Sequence, residues 1–219
     1  MQTIIHVLRY LNLKTIYFNF RYFPFGVAIR FPVFVGTNFL LKECKGTVEL
    51  PAKKFAGMIK LGYGHVGIFD QHRSRGIWEV AGIVKFEGSA FLGHGSKLSI
   101  GNFGVLALGN NFTITAESSI ICLKQVSFGN DCLLSWEVLI MDTDFHKIYS
   151  QEGNLLNTDK DIIIQDHVWI GTRCTILKGA EIASNCIVAA TSLVTGKLNE
   201  QGCLYGGHPA RIIRENVSW

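Results

Sequence analysis

The stretch that decides the fold is IIIQDHVWIGTRCTILKGAEIASNCIVAATSLV, residues 162–194. Within it an aliphatic residue recurs at every sixth position, at Ile164, Ile170, Ile176, Ile182, Val188 and Val194. A small residue follows four places after most of these, at Cys174, Ala180, Cys186 and Ser192. A period of six fits neither the 3.6 of a helix nor the 2 of a simple strand. It predicts a parallel β-helix, in which each six-residue unit forms one short face and three faces close one coil.

The same spacing extends far upstream. It recurs at Leu108, Ile114, Ile120 and Val126, and, after a slip of two residues, at Phe128, Leu134 and Ile140. Before these, Val80, Phe86, Leu92 and Leu98 already keep the six-residue interval. Stacked coils bury a continuous core that no single repeat buries alone. We therefore expect an all-β domain over residues 80–213.

The repeat consists of an aliphatic residue, a small or acidic residue, two variable residues and a small residue. In this it resembles the left-handed β-helix hexapeptide acyltransferases, and most of all the sugar and serine O-acetyltransferases of polysaccharide biosynthesis. The resemblance covers roughly residues 80–213. It implies a left-handed coil, which is an exception to the right-handed crossover rule. It also implies acetyl-CoA as co-substrate and a homotrimer with active sites between subunits.

Composition restricts the class of protein. The chain has 219 residues, of which 48% are hydrophobic and 17% charged, so it can bury one sizeable core and is not disordered. The net charge of +4 is not gathered into a basic stripe, so no nucleic-acid partner is expected. Six cysteines lack any CxxC pair, and Cys132, Cys174 and Cys186 occupy small positions of the repeat. They predict buried thiols in a reducing compartment, and hence a cytoplasmic protein.

The first fifty residues differ from the rest, because they are crowded with aromatic residues and arginines. Arg9 and Lys14 interrupt the early apolar run, so we expect neither a signal peptide nor a spanning helix. Ile4, Leu8 and Leu11 share one helical face, which predicts a helical or irregular cap over the first coil. The alternative is peripheral contact with the inner membrane surface. Residues 51–79 are expected to be lead-in strands and turns, and residues 214–219 a tail.

The repeat stops at Ile140-Met141-Asp142-Thr143-Asp144-Phe145-His146-Lys147. Continuing the interval from Ile140 would put an aliphatic residue at position 146, but histidine stands there, and the irregular loop 147–161 follows. A repeat broken at one point often marks a functional site. Imidazole can remove a hydroxyl proton at neutral pH, so His146 is the candidate general base. Asp144 and Asp142 are the local carboxylates that could orient the ring.

The remaining site residues are implied by the resemblance. Val168-Trp169-Ile170-Gly171-Thr172 matches the family's tryptophan-containing coil, which puts Trp169 near the acceptor and Thr172 near the pantetheine of acetyl-CoA. Ala189, Ala190 and Thr195 occupy matching coils. In the closing motif Gly206-Gly207-His208-Pro209-Ala210-Arg211, the arginine is expected to approach the nucleotide phosphates, which guanidinium suits by shape and charge. Lys197 is a further candidate, although Gly196 separates it from the valine-threonine pair.

These observations predict an acetyl-CoA-dependent O-acetyltransferase that acts on a sugar hydroxyl in surface polysaccharide biosynthesis, with no metal. Three alternatives stay open. An amino sugar would make the enzyme an N-acetyltransferase with the same base. A zinc-dependent hydrase on the same scaffold would need histidine ligands, but no tight histidine pair lies on the regular coils. A solenoid without catalytic activity would bind a partner through the fold alone.

Overall fold

The computed structural model describes residues 9–219. It contains two short helices, α1 (Leu13–Tyr22) and α2 (Phe25–Ala28), ahead of the strands. The strands of the first four coils are β1 (Val33–Val35), β2 (Phe39–Cys44), β3 (Thr47–Glu49), β4 (Ile59–Tyr63), β5 (Gly76–Val80), β6 (Ile83–Phe86), β7 (Ala90–Gly93), β8 (Lys97–Ile100), β9 (Val105–Leu108), β10 (Phe112–Ala116), β11 (Ser119–Cys122) and β12 (Gln125–Phe128).

Three more coils and a final hairpin follow. Their strands are β13 (Leu133–Trp136), β14 (Leu139–Met141), β15 (Ile162–Ile164), β16 (Trp169–Ile170), β17 (Thr175–Leu177), β18 (Glu181–Ile182), β19 (Ile187–Val188), β20 (Leu193–Val194), β21 (Lys197–Leu198), β22 (Leu204–Gly207) and β23 (Ala210–Arg214). The strand β22 continues the stack, and β23 pairs with it antiparallel, closing the last coil.

The strands form three sheets that are the faces of a triangular prism. The first face runs β1-β4-β7-β10-β13-β16-β19-β22-β23, the second β2-β5-β8-β11-β14-β17-β20, and the third β3-β6-β9-β12-β15-β18-β21. Each strand therefore pairs with the strand three positions later in the chain. This is the predicted parallel β-helix, of the left-handed class. We call the edge between the first and second faces the first corner, between the second and third the second corner, and between the third and first the third corner.

The six-residue interval corresponds to inward positions that stack in register. On the second face Ile120 pairs with Ile140, Ile140 with Ile176, and Ile176 with Val194. All four side chains are at most 1% exposed. Because each coil repeats this arrangement, the prism is filled by one continuous aliphatic core.

The β-helix begins earlier than the sequence indicated. Strand pairing starts with Val33 opposite Ile59, so the segments predicted as cap (1–50) and lead-in (51–79) contain the first coil and two of the three strands of the second. The excursions 50–58 and 64–75 separate these first strands and hide their period. The segment 214–219 is also more than a tail, since Val217 N donates to the carbonyl oxygen of Gly202 and Trp219 packs on His167.

The helix α1 covers β1, the edge strand of the first face. Its polar residues supply the hydrogen bonds that β1 would otherwise lack: Asn19 Nδ2 donates to the carbonyl oxygen of Val33 at 2.7 Å, and Val35 N donates to Thr15 Oγ1 at 3.0 Å. An uncovered edge strand invites association with other strands, and this helix prevents it. Of the predicted apolar face, Ile4 and Leu8 lie outside the described residues.

The predicted thiols are free and mostly buried. Cys132, Cys174 and Cys186 are at most 1% exposed, and burial raises the pKa of each thiol. For Cys132 the value is about 11. They act as small residues where the backbone turns a corner. Within residues 9–219, no helix is long and apolar enough to cross a membrane.

Candidate active site at the second corner

The chain leaves the prism at the second corner, between β14 and β15, and His146 lies at the base of the resulting loop. The backbone turns sharply there: His146 N donates to the carbonyl oxygen of Asp144 at 2.6 Å, and Phe145 has a φ of 59°. The same left-handed conformation recurs at other corners of the prism, at Glu137, Arg173 and Thr191, so it belongs to the turn geometry of the fold. The side chain of His146 is exposed. The imidazole is therefore accessible to an acceptor.

The loop is an ordered hairpin rather than a flexible connection. Ser150 N donates to the carbonyl oxygen of Asn154 at 2.9 Å, and Leu156 N donates to that of Ile148 at 2.8 Å. Tyr149 and Leu155 form an antiparallel bridge between these bonds. His146 thus stands where a small hairpin joins the prism.

Asn157 fastens the end of this hairpin to its beginning. Its Nδ2 donates to the carbonyl oxygen of His146 and to Asp144 Oδ2, both at 2.8 Å, and its Oδ1 accepts from Ile148 N at 2.6 Å. One side chain therefore fixes the backbone on both sides of the histidine.

Lys178, on the next coil, fastens the same group to the prism. Its Nζ donates to Asp144 Oδ2 at 2.5 Å and to the carbonyl oxygen of Asn157 at 3.0 Å. The lysine side chain is 17% exposed, so this contact is partly shielded from water. The hydrogen bonds from Lys178 and Asn157 hold the pKa of the Asp144 carboxyl below its usual value.

Asp142 has a different environment. Its carboxylate is completely buried and accepts from the backbone N–H groups of Leu123 and Lys124, each at 2.8 Å. Both oxygens therefore accept hydrogen bonds from the backbone at the second corner of the preceding coil. The sequence suggested that Asp144 or Asp142 orients the imidazole directly. In the described part of the chain, neither carboxylate forms a hydrogen bond or ion pair with the ring of His146, because each is engaged elsewhere.

The predicted cofactor residues fall into two groups. Thr172, Ala189 and Ala190 line the first corner on successive coils, and Arg211 on β23 lies beside them, opposite Gly206. Thr195 and Lys197 lie at and beyond the second corner, with His146. Lys197 forms an ion pair with Glu181 at 2.7 Å.

The first corner carries backbone donors that are not used. Within residues 9–219, the amides of Thr172 and Ala190 have no hydrogen-bond acceptor. Small residues keep them uncovered: a Cβ added to Gly171 would lie 2.7 Å from Ala190 N. A groove with free amides and little side-chain bulk suits the carbonyl groups of an extended ligand.

Trp169 lies on the first face, away from His146. Its Nε1 donates to Ser135 Oγ at 3.1 Å, and its ring lies against that of Trp219, with 5.9 Å between centroids. Trp219 and His167 in turn line a cavity of about 440 Å³ with Leu133 and Thr113. Ser135 and Trp219 thus belong to the same surface as Trp169. The sequence analysis did not predict either of them.

The repeat region matches a known family. The profile described as bacterial transferase hexapeptide (six repeats) matches residues 161–196. This segment of the chain therefore consists of hexapeptide repeats of the bacterial transferase type.

The chain also resembles curated proteins in sequence and solved structures in fold. It is 39% identical to the polysialic acid O-acetyltransferase of Neisseria meningitidis over 113 residues. The aligned segment covers 51% of this chain and 50% of the relative. The chain spans about half the length of the curated relatives it matches.

Two solved structures share the fold. The polySia-specific acetyltransferase NeuO superposes with a TM-score of 0.54 at 22% identity, over 85% of this chain and 71% of that one. Galactoside acetyltransferase in complex with coenzyme A gives a TM-score of 0.50 at 25% identity, over 61% of this chain and 64% of that one.

The sequence analysis missed the contact between Lys178 and Asp144, although the hexapeptide repeat contained one signal for it. Because Ile140 and Ile176 pair in register, Lys178 lies one coil beyond Asp142 at the same corner, directly beside the start of the loop. A basic residue at that position could have been proposed as a partner for the loop carboxylates. Among the described residues, no group of three or more His, Cys, Asp or Glu side chains is placed to hold a metal ion.

Proposed function

We propose that this protein is an acetyl-CoA-dependent O-acetyltransferase that modifies a sugar hydroxyl in surface polysaccharide biosynthesis. The observation that carries the proposal is an exposed histidine fixed at the second corner of a hexapeptide β-helix by Asn157, Asp144 and Lys178. The related protein from Neisseria meningitidis is a polysialic acid O-acetyltransferase, which supports a glycan as acceptor.

His146 is the general base. A ring nitrogen accepts the proton of the acceptor hydroxyl as the oxygen becomes nucleophilic, and an imidazole is half neutral near pH 6.5. The oxygen forms an ester bond with the acetyl carbonyl carbon of acetyl-CoA, the bond from that carbon to sulfur breaks, and the imidazolium returns the proton to the coenzyme A thiolate. The histidine needs a fixed position to act on one hydroxyl among several, and the hydrogen bonds to its backbone provide it. Asp144, Asn157 and Lys178 are positioning residues, because they act through the backbone of His146.

The first corner is the proposed binding groove for acetyl-CoA. The free amides of Thr172 and Ala190 suit the amide carbonyls of pantetheine, and Ala189 leaves room beside them. Arg211 is exposed at the end of the same groove and suits the phosphates. The coenzyme A complex of galactoside acetyltransferase supports this ligand, because the two proteins share the fold.

The two corners belong to one site only if two copies meet. Within one chain, the second face lies between Thr172 at the first corner and His146 at the second. A homotrimer brings the first corner of one copy to the second corner of its neighbour, where Thr195 and Lys197 also lie. The outer side of the second face supports this assembly, because it carries the half-buried apolar side chains Ile121, Leu139, Met141, Leu177 and Leu193. Heterologous contacts of this kind close into rings.

Trp169 and Trp219 lie away from His146 of the same copy, so they form the proposed platform for a part of the acceptor glycan whose reacting hydroxyl lies at His146 of the neighbouring copy. An indole face packs against the apolar face of a sugar ring, and the Ser135 hydroxyl and the neighbouring cavity add polar contacts. The free cysteines favour a reducing compartment, and the proposed location is the cytoplasm.

The test combines calorimetric titration with acetyl-CoA and a thiol-release assay over sugars, amino sugars and sialic acid polymers. We expect binding, and thiol release that depends on both a glycan hydroxyl and His146. The variant His72→Ala changes an exposed histidine on the excursion 64–75 and serves as the matched control. Release with amino sugars alone would make the protein an N-acetyltransferase. No binding and no release would leave a solenoid without catalytic activity.

A further inference from the structure

The helix α1 is apolar on its outward side as well as on part of its buried side, where Phe18 packs against Trp78 with 5.0 Å between ring centroids. Its inward side carries Thr15 and Asn19, which are completely buried and bonded to β1. Its outward side carries an apolar stripe with the spacing i, i+3, i+4, i+7, formed by Leu13, Ile16, Tyr17 and Phe20. A surface helix ordinarily turns such a stripe toward the core. Here β1 requires hydrogen bonds from the inward side, and the stripe is left outside.

The exposed surface continues onto α2. Phe25 is 71% exposed and Ile29 49%, compared with 84% for Leu13 and 53% for Tyr17. We call these residues the outer cap surface: Leu13, Ile16, Tyr17, Phe20, Phe25 and Ile29. Single exposed apolar residues are ordinary, but a contiguous group of this size marks a contact surface.

The sequence that forms this surface is basic. Residues 1–42 contain no aspartate or glutamate and five lysines or arginines, of which Lys42 forms an ion pair with Glu79 at 2.6 Å. Arg21 and Arg30 are exposed beside the apolar stripe. The partner must therefore combine an apolar layer with negative charge.

We propose that the outer cap surface docks on a membrane that contains anionic lipids. Aromatic side chains enter the headgroup boundary, and arginines bind the lipid phosphates while their stems lie on the apolar layer. A second copy of the chain is a poorer occupant, since it would bring the arginines of both copies together without any compensating carboxylate in this segment. This contact goes beyond the proposed transferase activity and does not depend on it.

The test is flotation of the full-length protein with vesicles of phosphatidylcholine alone, or with about one third phosphatidylglycerol added. We expect flotation with the anionic vesicles and little with the neutral ones. In the triple variant Leu13→Gln, Tyr17→Gln, Phe25→Gln, the fraction of protein that floats with the anionic vesicles should fall at least tenfold. Arg21→Gln with Arg30→Gln should weaken binding about 10- to 30-fold, from the contribution of two cations at the surface.

Two matched control variants replace the same kinds of side chain outside the outer cap surface. Ile68→Gln with Phe103→Gln removes side chains that are 69% and 90% exposed, and Lys53→Gln with Arg214→Gln removes two exposed charges. Both should float like the unmodified protein. Thermal unfolding verifies that each variant is folded. Equal flotation of the triple variant and the unmodified protein, no flotation of the latter, or a change of oligomeric state in the triple variant would each overturn the proposal.

Discussion

Asn157 Nδ2 donates to the carbonyl oxygen of His146 at 2.8 Å, although the two residues are eleven positions apart. The end of the loop is thereby hydrogen-bonded to its beginning. The imidazole receives no such bond from another described residue. The arrangement fixes the histidine through its backbone and leaves both ring nitrogens available for a substrate. In this it differs from a triad, in which a carboxylate binds the ring.

Replacing the base should stop turnover without affecting cofactor binding. We expect His146→Ala to lower kcat by about two to four orders of magnitude, the usual loss for a general base. The affinity for acetyl-CoA should stay within about threefold, because the proposed groove lies at the first corner. Thiol release and calorimetric titration measure the two quantities. Turnover close to that of His72→Ala would exclude His146 as the base.

Loosening the loop should slow the reaction without changing the base. We expect Asn157→Ala to lower kcat about tenfold, since a displaced base loses alignment with the hydroxyl. The pH at which activity is half maximal should not move, because the variant leaves the ring unchanged. Asn154→Ala, at the exposed tip of the same hairpin, is the control and should retain full activity. A pH profile shifted in Asn157→Ala would mean that the amide acts on the ring.

The pKa of Asp144 provides a test of the Lys178 contact. The hydrogen bond from Lys178 lowers this pKa below 3.8, so the contact stabilises the folded state above that value and is lost as the pH falls through the lowered pKa. In Lys178→Met the midpoint of the Asp144 titration should rise toward 3.8. The carboxyl carbon shift in NMR spectra reports it. An unchanged midpoint would show that the lysine does not bind this carboxylate in solution.

A negative charge at the first corner should weaken cofactor binding. We expect Ala190→Asp to raise the Kd for acetyl-CoA about tenfold, because the carboxylate repels the phosphates and obstructs the free amide. Asn185→Asp introduces the same charge on the same coil at the third corner, and should bind normally. Equal weakening by both variants would point to net charge rather than to the groove.

Asp142 should contribute to stability rather than to chemistry. Asn can accept only one of the two hydrogen bonds from Leu123 N and Lys124 N, and its amide group would face the other donor. We expect Asp142→Asn to lower the free energy of unfolding by about 1–3 kcal/mol. Denaturant unfolding measures it, with Asp159→Asn as the control. A folded Asp142→Asn protein of normal stability but without turnover would restore Asp142 to the catalytic group.

The sequence predicted the regular coils well because each inward position has the same requirement. Ile170, Ile176 and Ile182 must all fill the same narrow prism, and that restriction is visible as a period. The first coils were missed because the excursions 50–58 and 64–75 carry no such restriction. Part of the burial there comes from aromatic packing between Phe18 of α1 and Trp78 of β5, which has no fixed spacing in the sequence.

The candidate site was predicted in part for the same reason. His146 was visible as a break in the repeat. Its supporting contacts were not, because Lys178 and Asp144 are 34 positions apart and meet only after the coils stack. Asp142 and Asp144 look equivalent as residues in a short motif. Only the fold directs one carboxylate into the prism and the other to the loop.

The register of the second and third faces is continuous across the loop. The strand β14 pairs with β17, and β12 pairs with β15, although the segment 142–161 leaves the prism between β14 and β15. The scaffold therefore tolerates connections of very different length at this corner, because the entropic cost of closing a loop grows slowly with its length. Over evolution, such a corner allows one loop hairpin to be exchanged for another. The coils that carry the proposed acetyl-CoA groove stay the same, so the proposed acceptor specificity can change on an unaltered scaffold.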